Sequence, residues 1–140
     1  MSMFTDVMTV YNSIDGSEKW KRTIIKGVQW KHNKVEVSTS GGVQTENKVE
    51  SITIDFQKRY DREEYIDFLE FNKLTDKAGY WTLNGRDCMD IVVLGECTKE
   101  LDENYKISDL RNDFQYVGTI QSVSDNRNRN HLKHIKAVAK

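Results

Sequence analysis

The sequence lacks an excess of either charge, a long apolar run and all but two cysteines. Each shortage removes a class of function. With 21 basic against 22 acidic residues, bulk charge points neither to nucleic acid nor to an anionic membrane as the main partner. No stretch of apolar residues approaches the roughly 18 needed for a membrane span. The opening residues, Met1–Asp6, show no basic segment leading into an apolar one, so no secretory signal is expected. Cys88 and Cys97 are expected as free thiols in a reducing compartment, since a chain of 140 residues can build a core without a disulfide staple.

Recognisable chemistry is equally scarce. No Gly-x-Ser-x-Gly, His-Glu-x-x-His or dinucleotide fingerprint occurs. Gly41-Gly42 is not followed by Gly-Lys-Ser/Thr, which argues against a phosphate cradle. His131-x-x-His134 brings two imidazoles near one another, with no carboxylate or cysteine beside them to complete a metal site. Glu63, Glu64, Asp67 and Glu70 have the spacing of a solvated helix face rather than of an acid–base pair. The residues therefore point to no enzyme, no cofactor and no metal.

What is present is β-forming sequence. Gly79–Glu96 holds two apolar segments, Tyr80–Leu83 and Ile91–Leu94, around a polar turn containing Asn84-Gly85. This pattern predicts a hairpin at the centre of the core. The run Ile91-Val-Val-Leu94 predicts a strand covered on both faces. Val7–Tyr11, Trp20–Ile25, Val28–Lys31, Val35–Val37, Val49–Phe56 and Phe114–Val123 supply further strands, with bulges expected at Gly27 and Gly118. Ile52, Ile54 and Phe56 alternate with polar residues, a half-buried strand. The expected core is Trp30, Ile52, Ile54, Tyr80, Trp81, Ile91, Val93 and Ile120.

Asp61–Phe71 predicts a helix, with Asp61 and Glu64 as a capping box and Tyr65, Phe68 and Leu69 as the docking stripe. Ser108 is expected to cap a further helical turn. The polar stretch Ser38–Asn47 reads as a long hairpin loop or a flexible arm. Asn126–Lys140 carries Arg127, Arg129, Lys133, Lys136 and Lys140 without an acidic residue, and its end reads equally as helix or strand. The expected fold is one mainly β domain over 1–140 with one or two short helices, a small antiparallel β-barrel or sandwich.

Four segments in order resemble a family of small morphogenesis proteins of tailed phages of Gram-positive bacteria. They are Met8–Asn12, Ile25–Trp30, Gly79–Leu83 with Asp90–Glu96, and Ile120–Arg127 leading to His134–Lys136. An aromatic–Thr–Leu segment before a Gly-Asp-hydrophobic-Val-x-Gly-Glu strand, then a Val-x-Asp-Asn-Arg turn before a basic end, is the pattern. The chain departs from it at Gly85–Asp90, where the turn is longer and either Asp87 or Asp90 can match. The resemblance implies a structural virion protein of the neck, a head–tail connector, minor capsid, head-completion or stopper subunit, made in the bacterial cytoplasm. It implies a self-assembled ring of six or twelve copies between portal or adaptor and tail-terminator proteins. A collar or tail terminator of a headless, phage-tail-like bacteriocin fits the same pattern.

For such a role the expected interface residues are Ser38, Gly41, Gly42, Gln44 and Glu46 on a docking arm, and Arg127, Arg129, Lys133 and Lys136 on the basic segment. The latter would touch an acidic neighbouring ring or DNA in the channel; without a stacking platform, the protein contact is favoured. Two other classes make distinct demands. A β-sandwich binding module would use Trp20, Trp30 or Trp81 as an exposed stacking surface. A thiol enzyme would need Cys88 reactive beside a distant histidine.

Overall fold

A computed structural model describes residues 5–14, 19–38, 44–56, 62–85, 90–127 and 133–140, with side chains left aside for 33–38 and 44–48. Gly41, Gly42, Asp61, Asp87, Cys88, Arg129 and His131 lie outside the described residues. Six strands close into an antiparallel barrel: β1 (Asp6–Ser13), β2 (Trp20–Ser38), β3 (Gln44–Asp55), β6 (Ile91–Leu94), β7 (Val117–Asp125) and β8 (His134–Ala139), in the order β1-β2-β3-β8-β7-β6. The mainly β fold with short helices is thus the barrel form of the expectation.

Barrel closure follows from period-two alternation. Met8, Val10, Ile25, Val28, Trp30, Ile52, Ile54, Val92, Ile120, Ile135, Ala137 and Ala139 fill one continuous core. β6 is buried on both faces: Val92 points into the barrel, while Ile91 and Val93 lie in a second cluster with Tyr11, Cys97, Leu101 and Leu110. That outer cluster sits under α2 (Ile107–Asp113) and the loop before it. Thr9 stitches the loop down, its Oγ1 donating to the Gly95 carbonyl at 2.8 Å and accepting from the Cys97 amide at 2.9 Å.

The bulge at Gly27 forms: the β1–β2 register shifts between Asp6↔Val28 and Val7↔Lys26, and Gly27 has φ 80°. Gly118 has a different purpose. The β7–β8 irregularity falls between Ile120 and Ser122 instead. A Cβ on Gly118 would lie 2.7 Å from that of Ala139, so glycine lets the two strands close against each other.

Four expectations are corrected. The central hairpin does not form. β5 (Tyr80–Trp81) pairs in parallel with β4 (Glu64–Tyr65), and β6 pairs with β1 and β7. The barrel consumes both edges of β6, leaving none for its neighbour in sequence. The helix does not span Asp61–Phe71; α1 runs Phe68–Lys73, buries Phe71 and leaves Leu69 56% exposed. Tyr65 is instead drawn into β4, where its ring meets Trp81 edge-on at 4.9 Å, and tertiary packing overrides a local helix preference. Tyr80, placed in the core, is only half-buried. α2 starts one residue before Ser108: Lys106 takes the cap position and its amide donates to Asp109 at 2.9 Å. The open choice at the end of the chain resolves to strand β8.

Candidate interaction surfaces at the two ends of the barrel

One end of the barrel carries a projecting ribbon. β1 stops pairing with β2 at Val28, and β8 stops pairing with β3 at Glu50. Beyond these points β2 and β3 pair only with each other among the described residues, from Asn33↔Val49 to Ser38↔Gln44. These rungs reach about 20 Å past the barrel at strand rise. The expected loop Ser38–Asn47 is therefore strand at Ser38 and at Gln44–Asn47, leaving 39–43 between. Turn-forming residues did not stop the strands, because each rung adds a ladder pair.

The root of the ribbon is anchored. Glu50 is buried, and its oxygens lie 2.7 and 2.9 Å from His32 Nδ1. Trp30 Nε1 donates to Glu50 at 3.3 Å, and the His32 ring lies 4.9 Å from that of Tyr116. A carboxylate leaving water needs such partners. His32 had no distinguishing neighbour in sequence; only strand register places it opposite Glu50.

The other end is plugged by residues 62–85. Trp81 and Leu83 enter the barrel core, and Trp81 Nε1 donates to the Glu63 carbonyl at 2.8 Å. Asp90, 2% exposed, ties this plug to β1: its carboxylate accepts from Asn12 Nδ2 at 2.9 Å, the Ser13 amide at 3.0 Å and the Asn84 amide at 2.8 Å. Asn12 Nδ2 also donates to the Thr82 carbonyl at 2.6 Å. Asn84 thus joins a buried polar clamp rather than a hairpin turn.

Arg127 latches the outside of the plug. It forms a fork with Asp125, with bonds of 2.7 to 3.0 Å, lies 3.6 Å from Asp67, and stacks 4.8 Å from the Tyr65 ring centre. The bonds from Arg127 hold the Asp125 carboxyl below the usual carboxylate range. Phe56 lies between Arg127 and Arg62, at 5.6 and 4.8 Å. An open groove of about 380 Å³ runs beside this latch, lined by residues including Tyr65, Phe68, Leu83, Ser122 and Asp125.

Among the described residues, the expected interface residues do not come together. Ser38, Gln44 and Glu46 stand on the ribbon at one end, and Arg127 at the other. Lys133, just before β8, and Lys136 on it are exposed. Arg127 is engaged by carboxylates, so the basic segment is less uniformly positive than its composition. Among the described residues the exposed tryptophan surface of the binding-module alternative is not built, and Cys88, on which the thiol alternative rests, lies outside them. Trp30 and Trp81 are buried and Trp20 is half-buried in the outer cluster. Cys97 is buried with its Sγ 3.0 Å from the Tyr11 hydroxyl, which donates to the Lys99 carbonyl at 2.6 Å. Among the described residues, no group of three potential metal ligands occurs, and no helix is long and apolar enough to cross a membrane. His134 faces Asn126 at 3.3 Å.

The profile of DUF6751, a family of unknown function, matches residues 3–140. The chain belongs to this family. No curated protein and no solved structure matches it. The match spans barrel, ribbon and plug alike.

Tyr65 offers a pH test of the plug. Burial pushes its hydroxyl up to about 12, against the opposing pull of Arg127. A pKa raised in the folded state stabilises below the unfolded value of about 10, and that contribution is lost as pH rises toward the folded value. Urea melts between these values should lose stability more steeply in the native protein than in Tyr65→Phe, by roughly 2–3 kcal/mol at the upper limit. Equal slopes would show that Tyr65 ionises freely and that the plug is loose.

Proposed function

We propose that this chain is a structural protein of the phage neck, a head-completion or stopper subunit that assembles as a ring of six or twelve copies between portal and tail proteins. The ordered motifs that resemble the neck family support this reading, and the projecting ribbon carries it structurally. A closed barrel hides its strand edges, and among the described barrel strands the ribbon extends free ones past the closed part. A two-stranded ribbon alone in water is marginal, so docking on a neighbour gives it the cover it lacks. Ring subunits contact neighbours through unlike surfaces that close by rotation, and the ribbon and plugged ends are two such surfaces on opposite sides. Lys133 and Lys136 would face an acidic neighbouring ring. The role has no catalytic step and needs no cofactor, and the protein would reside in the virion after synthesis in the bacterial cytoplasm.

Mass spectrometry of purified particles from the producing strain tests this. The expected result is the chain at a few copies per particle, in a multiple of six relative to a known capsid or tail protein. Its absence would overturn the reading. Recovery only from headless particles would move it to the collar of a tail-like bacteriocin. A variant with residues 34–48 replaced by a short turn should melt as the native protein does yet fail to enter particles.

A further inference from the structure

The register of the ribbon places like charges opposite one another. Lys34 stands across from Lys48, and Glu36 across from Glu46. By strand alternation these four positions share one face. Like charges directly opposite on a strand pair are unfavourable. The contrast with the root is sharp: one rung inward on the same face, His32 stands opposite Glu50, a complementary pair. Outward from the barrel the same face therefore reads as a positive rung followed by a negative rung.

Such an order is complementary to itself when reversed. We propose that this face docks on the same face of a second copy of the chain, around a two-fold axis at the level of Val35 and Asn47. The positive rung of each ribbon then lies over the negative rung of the other, so that each of the four like-charge rungs meets a rung of opposite sign. Face-to-face strands stack about 10 Å apart, a gap that lysine and glutamate can span. The pairing is isologous, so one surface serves both partners.

Diagonal pairing within one ribbon competes with this arrangement. Lys34 with Glu46, and Lys48 with Glu36, stand about 7–8 Å apart on the diagonal. A ribbon satisfied that way leaves the protein monomeric. Association is thus the deciding observable. It rests on register and charge and not on the neck reading, since a dimer absent from particles would sustain the one and end the other.

Sedimentation equilibrium on the full chain at low salt should show a dimer that weakens as salt is raised. K34E/K48E makes the face wholly acidic and E36K/E46K makes it wholly basic. Each should weaken self-association by roughly tenfold or more, on the strength of exposed ion pairs. Mixing the two variants should restore a heterodimer, and the four-fold exchange should restore the homodimer. A monomeric native protein overturns the proposal without any variant. So does a dimer indifferent to the sign of the face, which would be the mark of edge-to-edge pairing. Circular dichroism and melting of each variant establish that both mixing partners are folded.

Discussion

Asp90→Ala should lower stability by about 3–5 kcal/mol, a large part of the total for a domain of this size. Asp90 is almost wholly buried and accepts from Asn12, Ser13 and Asn84. Alanine leaves two backbone amides and a side-chain amide without their acceptor, and each unsatisfied buried donor costs about 1–3 kcal/mol. Asp90→Asn should do little better. Its amide would present a donor toward at least one of three groups that are themselves donors. The urea midpoint of both variants is the measurement, with an unchanged denaturant slope indicating that the fold is retained. A loss below about 1 kcal/mol would show that water replaces the carboxylate and that the plug does not depend on it.

Trp81→Ala should cost a similar amount, about 3–5 kcal/mol, by a different route. Trp81 is fully buried, fills the plugged end with Leu83 and Tyr65, and holds the Glu63 carbonyl. Truncation opens a cavity at the point where residues 62–85 enter the barrel, and the barrel wall cannot collapse into it. Trp81→Phe should cost less, about 1–2 kcal/mol, chiefly through the stranded carbonyl. A melting temperature lower by roughly 10–15 °C for the alanine variant is expected from the size of the domain. If both variants melt alike, packing volume is not what seats the plug. Separately, loss of the plug should leave the ribbon end intact, because the root at His32 and Glu50 lies at the opposite end of the barrel.

The two clamps explain why neutral composition hides a divided molecule. Arg127 and Asp90 spend their charges internally on the plug. The outer rungs of the ribbon, by register, meet no complementary rung directly across. The end that holds the fold and the end proposed to reach for a partner then answer to different residues.

Local sequence determined which stretches are strands, because alternation and β-branching act within a few residues. Val49–Phe56, the doubly covered Ile91–Leu94 and the bulge at Gly27 were all legible that way. Most of the core was legible too, since burial follows apolar character along an alternating face. Tertiary structure alone decided which strands pair. Tyr80–Trp81 and Ile91–Leu94 look like one hairpin in sequence, but closing the barrel takes both edges of β6 for β1 and β7. The same closure pulls Tyr65 out of a helix and brings Asp90 to Asn12 across a separation that no local pattern encodes. The like-charged rungs of the ribbon are in the sequence as letters, but only register, a property of two strands together, sets Lys34 against Lys48 and Glu36 against Glu46.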